Sequence, residues 1–162
     1  MGLLAFPILL VGIFFLGSPQ PYQHWADIAK VPTAPVEEVL ILKECPDFPK
    51  RSCVYYDSPY TIWLLPKAGR GELYHEMGHV YDFTVLTDKQ RNKFGEFLGD
   101  FRSWRDSPNA LNEEFAEAYR LCALGPGQFT FNGHMLGGYG YNPTALIHRR
   151  ICNLIREGIY KG

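Results

Sequence analysis

The sequence lacks a large excess of charge of either sign, a Cys-x-x-Cys pair and any internal repeat. With 16 basic and 17 acidic residues, the 162-residue chain has a formal net charge of -1. Nucleic-acid-binding proteins usually carry a basic stripe, so this balance gives no support for a nucleic-acid partner. Without the Cys-x-x-Cys spacing, a zinc site built from thiolates is not expected. The composition, 46% hydrophobic and 20% charged, is that of one ordinary globular domain.

A hydrophobic run of membrane-spanning length is also missing. The stretch from Leu3 to Leu16 carries no charge, but it is shorter than the roughly 20 residues that a spanning helix needs. Its length is typical of the apolar part of a secretory signal peptide. The alternatives are an uncleaved membrane anchor through residues 3–16 and an apolar segment packed in the fold. Residues 1–20 are therefore interpreted as a signal peptide or anchor. We expect a secreted or extracytoplasmic protein. If residues 3–16 are an uncleaved anchor, the protein is attached to a membrane.

Four cysteines are present, and they allow three pairings. Cys45 and Cys53 flank a segment with proline and basic residues that is typical of a turn, which favours a local Cys45–Cys53 bridge. Cys122 and Cys152 would then join two later helices. Disulfides fit an exported protein, and four reduced, buried cysteines are the alternative.

The order of the predicted elements indicates the fold class. Residues 21–35 are rich in proline and small polar groups and are expected to form a linker. Trp25 and Ile28 are the candidates for docking part of it. Residues 36–162 are expected to form the domain. Short β-branched and aromatic runs predict strands at 36–43, 52–56 and 61–65. Helical spacing follows at 71–86, 88–101, 112–124 and 143–157. Strands followed by helices predict an α+β domain, with a small N-terminal β-sheet and a helical C-terminal half.

The first motif that carries chemistry is His75-Glu76-Met77-Gly78-His79. Histidines at positions i and i+4 lie on the same face of a helix, so both imidazoles can bind one ion. Zinc accepts imidazole nitrogen and keeps an open position for water in catalytic sites. Glu76, adjacent in sequence, is placed to take a proton from that water as a general base.

A second motif supplies carboxylates. Glu113 and Glu117 are again four residues apart on a predicted helix. One carboxylate can bind zinc while the other accepts a hydrogen bond from a ligating histidine, because metal-bound histidines usually need a partner on their second nitrogen. We expect Glu113 to be the ligand and Glu117 to be the partner of a histidine. An acidic, solvated helix surface is the alternative interpretation.

Together the two motifs resemble those of gluzincin metallopeptidases. His-Glu-Met-Gly-His-Val-Tyr-Asp, followed by Asn-Glu-Glu-Phe-Ala-Glu-Ala-Tyr-Arg-Leu, is similar to the catalytic domain of the anthrax lethal factor type over about residues 60–124. The resemblance implies a minimal zincin-like fold and a zinc ion held by His75, His79 and Glu113. It also implies a place for Asp82 near the site, as a supporting or structural residue. In zincins an edge strand binds extended substrate, and residues 61–65 are the candidate for it, with a plain core strand as the alternative.

The sequence departs from that family in two respects. The domain is minimal, so substrate recognition must use little surface, and a tyrosine is missing. The family has a tyrosine before the glutamate helix that stabilises the oxyanion, whereas residues 106–109 contain none. Tyr139 in the glycine-rich segment is our candidate for this role, with Tyr141 or His134 as alternatives. His148, beside two arginines, is expected to face solvent.

The sequence thus predicts a zinc-dependent endopeptidase that hydrolyses peptide bonds in a protein or peptide substrate, with Glu76 and Tyr139 as catalytic residues. Two alternatives belong to other functional classes. One is a zinc-binding module that does not hydrolyse peptides, and the other is a membrane-tethered interaction protein whose histidines are incidental. The sequence does not indicate an oligomeric state or a cleavage preference.

Overall fold

A computed structural model describes residues 22–41, 45, 50–105, 110–125 and 130–157. The predicted signal or anchor segment at residues 1–20 therefore lies outside the described residues, as does the 106–109 stretch. Within the described residues, no helix is long and apolar enough to cross a membrane.

The fold is mixed α+β, as predicted, with five helices and two small sheets among the described residues. The sequence order of the elements is α1 (Tyr22–Asp27), β1 (Glu38–Ile41), β2 (Cys53–Tyr55), β3 (Ser58–Leu64), α2 (Arg70–Thr84), α3 (Asp88–Leu98), α4 (Leu111–Leu124), β4 (Thr130–Phe131), β5 (His134–Met135) and α5 (Ala145–Glu157). Strands β4 and β5 form a short hairpin in a stretch where the sequence showed no clear period.

The three-stranded sheet has the order β1-β3-β2, with β1 parallel and β2 antiparallel to β3. Strand β3 is thus central, and our expectation that residues 61–65 form an edge strand for substrate is wrong. The register explains why: Ile62 pairs with Val39 on one side of β3, and Trp63 pairs with Cys53 on the other. Ile62 and Leu64 are buried on the face that packs against α2. Strand β2 is the outer strand of this sheet that lies beside α2 and lines the cavity described below.

Helix α2 is the central element, because nearly all its side chains from Leu73 to Asp82 are buried. It packs most extensively against α4. Gly78 permits this close approach: a Cβ added there would lie 2.7 Å from Ala116 Cα and 3.1 Å from Tyr119 Cβ. The two helices that carry the sequence motifs are therefore neighbours with their backbones almost in contact.

Both predicted disulfides are confirmed. Cys45–Cys53 closes the loop that precedes and enters β2, and Cys122–Cys152 joins α4 to α5. Each bridge borders the central helix pair without linking α2 to α4. Since a disulfide restricts the unfolded chain more than the folded one, both stabilise the elements around the helix pair.

Residues 22–35 differ from the expected linker. They include α1, and Tyr22, Val31 and Ala34 are buried in the hydrophobic core. The Tyr119 hydroxyl of α4 donates to the Pro32 carbonyl at 2.7 Å and accepts from the Ala34 amide at 3.2 Å. Proline-rich composition indicated an exposed connection, but these hydrogen bonds hold the segment against α4.

Threonine side chains cap two of the helices. Thr87 caps α3 in a reciprocal arrangement with Gln90, and α3 begins at Asp88. At α5 the Thr144 hydroxyl accepts the Ile147 amide, so the helix begins two residues after Pro143. Thr and Asp are both good cap residues, and the local sequence alone does not decide between neighbours.

Candidate metal centre

His75 and His79 lie on the buried face of α2, one helical turn apart. Their ring centroids are 4.9 Å apart, and the residues are 7% and 8% exposed. A polar side chain this buried needs partners, because an unpaired polar group loses its hydration without compensation. The partners come from α4, across the contact that Gly78 permits.

Glu113 brings the third donor. Its carboxylate oxygens lie 3.4 Å from His75 Nε2 and 3.6 Å from His79 Nε2. One donor atom from each of the three residues lies within 4.8 Å of the others. The structure thus brings together the three residues that the sequence predicted as ligands, with Glu113 partly open to the cavity.

Glu117 lies behind this group rather than in it. Its Oε2 is 3.4 Å from His75 Nδ1, the nitrogen that faces away from Glu113. Arg120 binds both carboxylate oxygens of Glu117, and the Gly138 amide donates to Oε1 at 2.7 Å. Glu117 therefore orients the His75 ring so that Nε2 points at Glu113, the position that the sequence predicted for it.

The electrostatics of the group favour a positive charge between the carboxylates. Burial opposes the charged form of His75, but hydrogen bonding to Glu113 and Glu117 raises the pKa of His75 to about 9. Burial likewise opposes the charged form of Glu117, yet His75, Arg120 and the Gly138 amide lower the pKa of Glu117 to about 2. Despite its partial burial, Glu113 also has a lowered pKa because both histidines bind it. Two ionised carboxylates thus flank the imidazoles.

Glu76 points into the same cavity from α2. It is 5% exposed, and burial raises its pKa above the ordinary value, although His79 and His75 oppose this. A carboxylate with a raised pKa is a better proton acceptor than one at its ordinary value. The structure places Glu76 beside the three donors, as required for the predicted general base.

Tyr139 lies over the donors from the opposite wall. Its ring stacks on that of His75, with centroids 4.8 Å apart, and its residue is half exposed. Burial, followed by the charges of Glu113 and Glu76, raises the pKa of Tyr139, so its hydroxyl keeps its proton at neutral pH. The positive φ of 55° at Tyr139 belongs to the turn between Gly137 and Gly140 that carries the ring to this position.

The alternatives to Tyr139 lie elsewhere. Tyr141 is fully buried, and its hydroxyl is 2.8 Å from His148 Nδ1. His134 is exposed on β5, with Nδ1 3.1 Å from the Asn142 carbonyl, and does not line the cavity. His148 is partly buried rather than solvent-facing, and burial lowers its pKa to about 4.

Asp82 is fully buried on α2 but does not line the cavity. Its Oδ1 accepts from Arg91 Nε at 2.8 Å and Trp104 Nε1 at 2.9 Å, and its Oδ2 lies 3.3 Å from Arg105. These contacts tie the end of α2 to α3 and to the segment after α3. The predicted supporting role of Asp82 is therefore structural in this geometry, because it bonds these side chains and not a histidine.

The cavity that contains the group has a volume of about 440 Å³ and includes residues that the sequence did not single out for the site. Lys50 and Arg51 come from the loop before β2, and Phe83 from the end of α2. Asn112 precedes Glu113, and its Oδ1 is buried without a hydrogen-bond partner among the described residues, as is His79 Nδ1. Only Asn112 could have been found from sequence, because its polar side chain is adjacent to a predicted ligand. Lys50, Arg51 and Phe83 reach the cavity only through the tertiary fold.

Comparisons with family models, curated proteins and solved structures find no match to this chain.

The donor set fits a zinc ion. Two imidazole nitrogens and one carboxylate oxygen, with one face open to a cavity, are the donors of a catalytic zinc site with a free position. The carboxylates already favour positive charge at this place, as the raised pKa of His75 indicates. A second group, Cys122, His148 and Cys152, has suitable spacing, but its two sulfurs are bonded to each other.

Proposed function

We propose that this chain is a zinc-dependent endopeptidase of the gluzincin type, resembling the lethal factor type of catalytic domain. The observation that carries the proposal is the convergence of His75, His79 and Glu113, whose donor atoms lie within 4.8 Å of one another at the wall of an open cavity. Glu76 and Tyr139 line the same cavity, so a proton acceptor and a hydroxyl donor are within reach of one substrate.

Each residue has a separate role in the proposal. His75, His79 and Glu113 hold the ion, and Glu117 fixes the orientation of the His75 ring. A bound zinc ion would supply Lewis acidity, which polarises the scissile carbonyl and lowers the pKa of a water. Glu76 takes the proton of the attacking water and passes it to the leaving amine nitrogen. Tyr139 donates a hydrogen bond to the oxygen on which negative charge develops.

An extended substrate has a defined place in this proposal. Cys53 and Val54 of β2 line the cavity, and β2 pairs with β3 along its other side. The opposite edge of β2 has no strand partner among the described residues. A peptide that adds to this edge gains backbone hydrogen bonds without a requirement for particular side chains. Strand β2 therefore replaces residues 61–65 as the proposed substrate strand.

The test compares zinc content and peptide cleavage in wild type and Glu76→Gln. We expect one zinc ion per chain in both, and a kcat at least about 100-fold lower in the variant, because general-base assistance is removed. Glu96→Gln, a change at an exposed glutamate on α3, is the matched control and should cleave like wild type. Equal cleavage by wild type and Glu76→Gln would refute the mechanism. Zinc uptake without cleavage of any peptide would instead support the non-hydrolytic alternative.

The oxyanion role of Tyr139 has its own test. Tyr139→Phe keeps the ring that stacks on His75 but removes the hydroxyl, so kcat should fall with little change in zinc affinity. Full activity in this variant would remove Tyr139 as the candidate.

We also propose that the protein works outside the cytoplasm, secreted or attached through residues 3–16. The two disulfides support an oxidising compartment, where such bonds persist. The mass of the mature N-terminus distinguishes the cases: a cleaved signal peptide removes residues near 1–20, whereas an anchor retains them.

A further inference from the structure

Two basic side chains lie at the wall of the cavity on the loop that leads into β2. Lys50 and Arg51 are both exposed, and both line the cavity that contains His75 and Glu113. Arg51 is close enough to Tyr139 for its charge to act on the tyrosine hydroxyl. Neither basic residue forms an ion pair with a carboxylate among the described residues.

The loop holds these two residues in place. The Cys45–Cys53 bridge closes it. The Ser52 hydroxyl donates a hydrogen bond to the Glu72 carboxylate of α2 and accepts one from the Leu65 amide at 3.1 Å. Lys50 has a left-handed backbone, with φ 67°, which a residue with a side chain adopts only where its surroundings impose it. The chain thus keeps an unfavourable conformation at the residue that brings a positive charge to the cavity.

Of the four acidic side chains that line the cavity, three have partners other than Lys50 and Arg51, and the fourth, Glu76, is buried at 5% exposure. Glu113 contacts both histidines, Glu117 binds Arg120, and Glu72 binds Ser52. None of them neutralises the charges of Lys50 and Arg51. A group entering the cavity beside β2 therefore meets two cations whose natural partner is an anion, and arginine in particular binds carboxylates in a two-pronged geometry.

On the basis of the proposed function, we propose that the preferred substrates are peptides that carry a carboxylate close to the scissile bond, bound by Lys50 and Arg51. The carboxylate belongs to an acidic side chain or to a free C-terminus. A peptide lying along β2 passes the start of this strand, where the two basic residues stand. The specificity of the enzyme thus comes from the disulfide-closed loop rather than from the helices that bind the ion.

The test uses peptide pairs that differ in one charge. Starting from any peptide that the zinc-loaded protein cleaves, each position around the cleaved bond is set to Glu or Gln, and the C-terminus is left free or amidated. We measure kcat/KM for wild type, and by calorimetry the Kd of each peptide for zinc-loaded Glu76→Gln. If no cleaved peptide is found, the Kd measurement uses two peptide mixtures of random sequence, one containing Glu and the other containing Gln at the same positions.

We expect a preference of about five- to tenfold for Glu over Gln at one position or more, or for the free C-terminus, since each exposed ion pair contributes up to about fivefold and two basic residues bind the carboxylate. The preference should shrink at high salt. In Lys50→Gln/Arg51→Gln it should fall below about twofold, whereas Lys67→Gln, an exposed lysine outside the cavity, should retain it. The Glu/Gln series and the amidated series distinguish a side-chain carboxylate from a terminal one.

Two results would overturn the inference: no preference for a carboxylate in any peptide, or a preference that survives in the double variant. Failure of the proposed function gives a different pattern. In that case no peptide is cleaved by the zinc-loaded wild type, while the Kd values for Glu76→Gln still report whether the two basic residues select carboxylates.

Discussion

Replacement of Gly78 by alanine tests whether the closeness of α2 and α4 builds the candidate metal centre. In the structure an added Cβ would lie 2.7 Å from Ala116 Cα and 3.0 Å from Ala116 O. Carbon atoms in ordinary contact are about 3.5–4.0 Å apart, so the helices must separate by roughly 1 Å. The obstacle is backbone, which cannot rotate aside as a side chain can.

The magnitude follows from two opposing effects. Overpacking of a core contact costs about 1–3 kcal/mol, and the upper end applies because backbone must move. Alanine favours the helix over glycine by about 1 kcal/mol. We therefore expect Gly78→Ala to lower the free energy of unfolding by about 2 kcal/mol. With a urea slope of about 2 kcal/mol per molar, the urea midpoint of the metal-free protein falls by about 1 M.

The same separation moves Glu113, which lies three residues before Ala116 on α4. Ligand distances in a metal site tolerate only about 0.2 Å, so zinc affinity should fall at least about tenfold. Competition with a chelator measures it. Gly69→Ala, immediately before the first residue of α2, is the control for zinc affinity, because its added Cβ meets no atom within 4 Å. If Gly78→Ala has the wild-type midpoint and zinc affinity, the described helix contact is wrong.

Three further predictions follow from the contacts of α4 and α5. Glu117→Gln removes the charge that orients His75, so zinc affinity should fall about 10- to 100-fold in chelator competition, and an unchanged affinity would contradict the role of Glu117. Cys122→Ser/Cys152→Ser opens a bridge between residues 30 apart, and urea unfolding should show a loss of about 3–4 kcal/mol; a loss below about 1 kcal/mol would show that the bridge does not restrict the unfolded chain. Burial lowers the pKa of His148 from 6.5 to about 4, so between these pH values the unfolded chain binds a proton that the folded chain does not. Stability should therefore rise with pH across this window, by about 1–2 kcal/mol after allowance for solvent exposure, and His148→Gln should flatten the rise of the urea midpoint. The same slope in wild type and variant would exclude His148 as its source.

The arrangement of the candidate site was predictable from sequence because it depends on short spacings along the chain, and the same spacing of four residues occurs in both motifs. Spacings of four residues place His75 with His79, and Glu113 with Glu117, on single helix faces. The chemistry of the two faces then predicts that they meet, since buried imidazoles need carboxylates and the carboxylates need cations. The geometry follows this scheme, down to Glu113 at Nε2 and Glu117 at Nδ1 of His75. The functional roles of these residues stay predictions.

The disulfides were predictable for a related reason. Cys45 and Cys53 lie close along the chain, with turn-forming residues between them, and the remaining two cysteines had only each other as partners. Local sequence thus limited the pairing before any tertiary structure was known.

Strand order could not be predicted because it depends on contacts between distant parts of the chain. The sequence of residues 61–65 does not indicate that β1 pairs with one side of β3 and β2 with the other. The contact of residues 22–35 with α4 has the same origin, since the Tyr119 hydroxyl that binds Pro32 and Ala34 lies more than 80 residues further along. Lys50 and Arg51 were missed because the fold, and not their sequence neighbours, brings them to the cavity.

The single carboxylate of Glu117 contacts both a predicted metal ligand and the turn that covers the cavity. It orients the His75 ring, and it also holds the Gly138 amide, next to the residue that covers the cavity. Neither the ring nor the overlying turn can be adjusted alone, because a shift of this side chain is transmitted to both. Natural variation in the 137–140 turn that alters what fits into the cavity should therefore be accompanied by an altered affinity of the candidate site for a metal ion.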